Sequence, residues 1–128
     1  MIIAIDPGRD KCGLAVVKKD LTVEYKEVVA TTDLKSKVEK TQEKYQVEDL
    51  VLGDGTKSQE IKIEIEEFFK RVIIVDEAHS TLEARAIYWQ DNPPTGWRRL
   101  LPTSLQTPPQ PIDDYVAVIL ATRYLKKD

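Results

Sequence analysis

Two short runs, Leu50-Val51-Leu52 and Val72-Ile73-Ile74-Val75, are apolar at every position, and they constrain the fold more than any other feature of the chain. A strand with one wet face alternates apolar and polar residues, so an unbroken run reads as a strand buried on both faces, the habit of parallel sheets covered by helices. Parallel neighbours cannot be joined by a hairpin and need a crossover. The segment Gln59 to Lys70 is therefore expected to be that crossover helix. Its Ile61, Ile63 and Ile65 alternate as in a strand, but Ile61, Ile65, Phe68 and Phe69 also share one helical face.

The rest of the chain fits around these runs. Met1 to Asp6 is a third apolar run, closed by Pro7-Gly8, and reads as a buried strand entering a turn. Gly13 to Val17 reads as its hairpin partner. Leu21 to Val28 alternates, with Leu21, Val23 and Tyr25 on one face, as a half-solvated antiparallel strand does. Asp33 to Gln46 carries Leu34, Val38 and Tyr45 among charges, an amphipathic helix, and Asp49 to Gly53 is a short buried strand. Ser80 and Glu83 have the spacing of a capping box ahead of a helix from about Thr81 to Gln90. A periodic helix closes the chain from Ile112 to Leu125. Between these helices, Asn92 to Pro111 holds six of the seven prolines and is expected to be a loop. The expected architecture is α/β: a five-stranded mixed sheet, made of an antiparallel three-strand meander plus two parallel strands, flanked by helices. Residues 1–128 make one domain, the usual size for this length.

A hydrophobic fraction of 41% beside 32% charged residues is that of a globular domain, with no run long enough to cross a bilayer. The apolar start meets Asp6 with no basic leader, and the single cysteine, Cys12, cannot form an internal disulfide, so a cytoplasmic location is expected. Cys12 itself reads as a small packed strand residue. A net charge of −3 excludes indiscriminate coating of polyanions. Any nucleic-acid contact has to be local, and one segment is suited to it: from Asn92 to Pro111 there are Arg98 and Arg99 and no carboxylate.

Acids stand where chemistry is easiest to place. Asp6 lies at the end of the first strand, Asp76-Glu77 end the strand that begins at Val72, and Asp113-Asp114 open the last helix. On a helical wheel Asp113 aligns with Ala117, Leu120 and Tyr124 on the apolar face and points inward, while Asp114 lies about 100° round. Each acid has an ordinary reading as a turn, loop or helix-start residue. Taken together they have another: an inward carboxylate needs a partner or a metal, and hard cations such as Mg²⁺ or Mn²⁺ take oxygen ligands converging from several elements.

These residues also carry a family resemblance. Ile3-Ala4-Ile5-Asp6-Pro7-Gly8 with Cys12-Gly13-Leu14-Ala15-Val16 resembles the opening of RuvC-like Holliday-junction resolvases and of the related YqgF-type proteins implicated in pre-16S ribosomal RNA processing. Val75 to Arg85 is similar to the YqgF-type stretch of Asp-Glu-Arg followed by Ser/Thr-Thr and Glu-Ala, and Ile112 to Leu120 resembles the closing Asp-containing helix. The resemblance implies a ribonuclease-H-like fold with Asp6, Glu77 and Asp113 as an acidic triad. It also implies that Asp54 stands where a RuvC-like protein places an acid, with Asp114 as a further candidate. Two departures stand out: Ala78 where the family has arginine, and Gly53-Asp54-Gly55 where it has Gly-Leu-Pro.

The expected function is a divalent-metal-dependent nuclease with Mg²⁺ or Mn²⁺ as cofactor. Structured or precursor RNA is the first substrate, and a Holliday junction, or nucleic-acid binding without catalysis, the alternative. The protein is expected to work as a monomer or a homodimer, away from membranes. Arg9, Lys11, Arg85, Trp97, Arg98 and Arg99 are candidate nucleic-acid contacts, Trp97 either stacking on a base or pinning the proline-rich loop to the core. His79, two residues past Glu77, either touches metal or phosphate or decorates a helix start.

Overall fold

Side chains of the first strand alternate across the sheet, and each set finds its own helical cover. The computed structural model describes residues 1–55, 57–103 and 106–126. Its strands are β1 (Ile2–Asp6), β2 (Lys11–Val17), β3 (Val23–Ala30), β4 (Asp49–Gly53) and β5 (Arg71–Val75). Its helices are α1 (Leu34–Tyr45), α2 (Ser58–Ile65), α3 (Ser80–Asp91) and α4 (Asp113–Lys126). The sheet runs in the order β3-β2-β1-β4-β5. β1, β2 and β3 form the antiparallel meander, while β4 is parallel to β1 and β5 parallel to β4.

On one face Ile3, Ile5, Leu14, Val16, Leu50 and Leu52 pack with Leu34 and Val38 of α1 and with Ile61 and Ile65 of α2. On the other, Ile2, Ala4, Ala15, Val17 and Val51 pack with Ala84 of α3 and with Ala117, Leu120 and Ala121 of α4. Burying each large aliphatic side chain contributes about 1.5–3 kcal/mol, so the two layers together hold the sheet. The α4 face is lined by small residues. Ala4 and Ala15 are directly paired across β1 and β2, which lets α4 lie close to the strands. At Gly13 the approach is closest, since a Cβ there would overlap the carbonyl of Asp113.

The elements follow the sequence pattern with four differences. β5, expected to be buried on both faces, is the edge strand of the sheet: none of its residues is fully buried and Ile74 is 43% exposed, because only β4 pairs with it. Leu21 belongs to a turn rather than to β3: it has φ 75° and its N–H donates to Lys18 O at 2.9 Å, so the strand begins at Val23. The crossover helix α2 ends at Ile65 and tightens into a 3-10 turn over Glu66–Phe68. Its helical nature is visible in Ile63, which is 74% exposed between buried Ile61 and Ile65. The expected capping box does not form. His79 occupies the cap position in the left-handed region with φ 63°, Ser80 is already helical, and the Glu83 side chain is drawn to Arg123 at 2.9 Å. The proline-rich loop contains a 3-10 turn over Gly96–Leu100; its Ser104 and Leu105 lie outside the described residues. Among the described residues no helix is long and apolar enough to cross a membrane.

Candidate metal centre

Because β1, β4 and β5 are parallel, their C-terminal ends share one edge of the sheet, where ligands of such sheets gather. Asp6 ends β1, Gly53 ends β4, and Glu77 follows two residues after the end of β5. The Glu77 side chain turns back across β4 toward Asp6, and two glycines make room for it. A Cβ at Gly53 would stand 2.5 Å from Glu77 Cδ and 2.8 Å from Oε1, and a Cβ at Gly55 would stand 2.5 Å from Oε2. What looked in sequence like a departure at Gly53-Asp54-Gly55 is thus the space through which Glu77 reaches the first strand.

Asp6 and Glu77 meet in a side-chain hydrogen bond. Burial first, then that bond, then the nearby charges of Glu77 and Asp113 push the Asp6 carboxyl up to about 9. At neutral pH the metal-free Asp6 therefore keeps its proton. Asp113 opens α4 beside Gly13, the register partner of Asp6. Its carboxyl is also raised, chiefly by burial, with Lys11 opposing the shift.

The loop that carries Glu77 is held from two sides. Asp54 Oδ1 accepts the Glu77 backbone N–H at 3.1 Å, so this acid serves the loop's geometry. Opposite, Arg123 of α4 donates from Nη1 to Asp76 O at 2.7 Å and from Nη2 to Ala78 O at 2.6 Å, bracketing Glu77. Sequence reasoning missed Arg123, which reads there as one more basic residue in the last turns of a helix. It also missed Lys57, which with Pro7, Gly8 and Arg9 lines a cleft of about 460 Å³ beside the acid pair.

Other candidates lie elsewhere. Asp114 turns away to β3, where its Oδ2 meets Lys26 Nζ at 2.8 Å. His79 is exposed at the α3 cap. Arg85 lines a separate cleft with Trp89. Trp97 is 69% exposed, with Arg98 5.9 Å over its ring, so it does not pin the proline-rich segment to the core. Among the described residues, no hydrogen bond or ion pair ties the side chains of Trp97, Arg98 or Arg99 to the acid pair.

The donor set fits a hard divalent cation. It is made of carboxylate oxygens on separate rigid elements, and the raised Asp6 carboxyl marks where positive charge is wanted. Among the described residues, however, no three His, Cys, Asp or Glu side chains stand together closely enough to hold an ion. Asp113 is within electrostatic range of Asp6 without joining it in such a cluster.

A mixed sheet in this order with helices on both faces has the ribonuclease-H-like fold, as the solved structures similar to it show. Among solved structures the chain is similar to fowlpox virus resolvase, in complex with substrate Holliday junction DNA, with TM-score 0.64 and 15% identity over 100% of both chains. It is also similar to Thermus thermophilus RuvC with its Holliday junction substrate, with TM-score 0.61 and 15% identity over 98% of this chain and 93% of that one. A second structure of Thermus thermophilus RuvC gives TM-score 0.59 at 16% identity, covering 98% and 94%. At such identities the likeness is one of fold. No family model and no curated protein matches the sequence.

Proposed function

We propose that this protein is a divalent-metal-dependent nuclease that hydrolyses phosphodiester bonds in structured nucleic acid. The observation that carries the reading is the meeting of Asp6 and Glu77 over Gly53 and Gly55, two acids from distant parts of the chain brought together at the sheet edge. Asp6 and Glu77 would hold the cation, Mg²⁺ or Mn²⁺, with Asp113 as the third acid and Asp54 fixing the Glu77 backbone. The cation supplies Lewis-acid stabilisation of the phosphoryl oxygens and a more acidic bound water. Lys11 balances the charge of Asp113, while Arg9 and Lys57 face the adjacent cleft as phosphate partners.

The first substrate to test is a four-way DNA junction, because the similar fowlpox and Thermus proteins were solved with Holliday junction DNA. The likeness of Val75 to Arg85 to the YqgF-type stretch favours a structured precursor RNA as the second. The experiment incubates both substrates with the wild-type protein and Mg²⁺ or Mn²⁺, beside Asp6→Asn and Glu77→Gln. Metal-dependent cleavage by the wild type alone is the expected result. Cleavage by either variant at the wild-type rate would remove the acid pair from the chemistry, and binding without cleavage would leave a nucleic-acid-binding module.

A further inference from the structure

Away from the acid pair, α3 and the proline-rich arm enclose a second cleft, of about 210 Å³, lined by Leu82, Arg85, Ala86, Trp89 and Thr103. Its chemistry is one-sided. Among the described residues the lining contains no carboxylate, and the sequence contains none from Asn92 to Pro111. Two donors in it, Trp89 Nε1 and Arg85 Nε, are buried and have no hydrogen-bond partner among the described residues. Buried N–H groups are nearly always paired, and an unpaired one points to a missing acceptor. The indole is also a firm platform. Trp89 packs edge-on against Tyr88 with ring centroids 5.2 Å apart, and Tyr88 packs in the same way on Tyr115 at 5.7 Å.

The position matters as much as the chemistry. α3 grows directly out of the acid loop, with Ser80 N–H donating to Glu77 O at 3.0 Å. At 1.5 Å per residue, Arg85 and Trp89 lie about 8 and about 14 Å along the helix from its start. The cleft therefore lies along the helix that leads away from the acid loop, and the arm that lines it with Thr103 also carries Arg98 and Arg99.

We infer that this cleft takes one unstacked nucleobase of the substrate strand, set against the face of the Trp89 ring with a carbonyl or ring-nitrogen acceptor toward Arg85 Nε. A flat aromatic ligand with acceptors matches a lining that has an unpaired Arg85 donor and no negative charge, and bases stack on such side chains without regard to sequence. The inference rests on the nuclease reading for its substrate class and adds that the substrate must present an unpaired nucleotide beside the cleavage point.

The test measures binding in the presence of a chelator, so that nothing is cut. A short single strand carrying 2-aminopurine is compared with an abasic strand of equal length and charge, for the wild type, Ala86→Leu and Trp89→Phe. Ala86 is exposed, so leucine there fills the cleft without disturbing the core. The wild type should prefer the base-bearing strand and quench its 2-aminopurine fluorescence. Ala86→Leu should cut that preference about tenfold, the contribution of one stacked base, while binding the abasic strand as the wild type does. Trp89→Phe should lower the preference by shrinking the stacking face. A preference unchanged in both variants overturns the pocket, as does a wild type that binds both strands equally. Cleavage by wild type and Asp6→Asn in Mg²⁺ is scored separately. Lost base preference with intact cleavage sinks only the pocket, and absent cleavage with intact preference sinks only the nuclease reading.

Discussion

Asp6, at the end of β1, meets Glu77, two residues past the end of β5, across the end of β4, and burial with this neighbour raises the Asp6 carboxyl to about 9. The arrangement is useful to a cation and costly without one. Asp6 ionises near 3.8 in an ordinary setting and near 9 in the folded, metal-free chain, so between those values the folded state binds more protons. This contribution to stability is fully present below about pH 4 and is lost as pH rises toward 9. Asparagine at position 6 keeps the shape and does not titrate. Asp6→Asn should therefore abolish cleavage and yet raise the melting temperature of the metal-free protein, by more at about pH 8 than at about pH 5. Melting curves with chelator at both pH values check this. A variant less stable than the wild type at the higher pH would contradict the raised Asp6 carboxyl.

Gly53→Ala separates the path of Glu77 from the fold. The added methyl meets the Glu77 side chain rather than backbone, so the chain should tolerate it and Glu77 should be displaced. Cleavage should fall about a hundredfold, the cost of misplacing a reacting group by about an ångström. Unfolding by urea should change by less than about 1 kcal/mol.

Arg123 is a positioning residue, and Arg123→Lys tests it. Lysine keeps the charge but cannot bridge the carbonyls of Asp76 and Ala78 as the planar fork does. The expected result is kcat lower by about tenfold or more with KM little changed. A rise in KM alone would place Arg123 on the substrate instead.

The two aspartates at the start of α4 should behave differently. Asp114→Asn loses the ion pair with Lys26, whose ammonium also lies 4.0 Å from the Tyr115 ring centroid, and should cost about 1 kcal/mol of stability with modest loss of activity. Asp113→Asn should do the reverse. Activity and urea unfolding measured on both variants decide the matter, and equal losses of activity would put Asp114 at the site as well.

Replacing Arg98 and Arg99 together with alanine should weaken nucleic-acid binding and flatten its dependence on salt, because fewer counterions are released. Titrations at several salt concentrations check this. An unchanged slope would move the phosphate contacts to Arg9, Lys11 and Lys57.

The legible parts of the fold were those written in continuous patterns. The apolar runs of β4 and β5 read as parallel strands, and a crossover between them followed, which settled the ambiguity of Ile61, Ile63 and Ile65 in favour of a helix. Asp6 was conspicuous because Pro7-Gly8 stops its strand. The less legible parts depend on partners distant in sequence. Ser80 and Glu83 have the spacing of a local cap, but Arg123 takes Glu83, and no pattern near either residue announces that. Gly53 and Gly55 looked like losses from a motif, since the residue that needs their emptiness comes from the next strand. Asp54 shows its carboxylate as an acid in sequence and as a backbone acceptor for Glu77 in the structure.

The small-residue face that lets α4 settle against the sheet has a consequence for how the chain is made. Ile2, Ala4, Ala15, Val17 and Val51 are synthesised well before the helix that covers them. Until residues 113–126 leave the ribosome, that face is bare apolar surface on a sheet otherwise able to form, the kind of intermediate that aggregates or engages chaperones. Asp113 arrives with the same helix, so the acid at its start and the cover for the sheet are delivered in one event, and a chain cut before α4 should be insoluble as well as inactive.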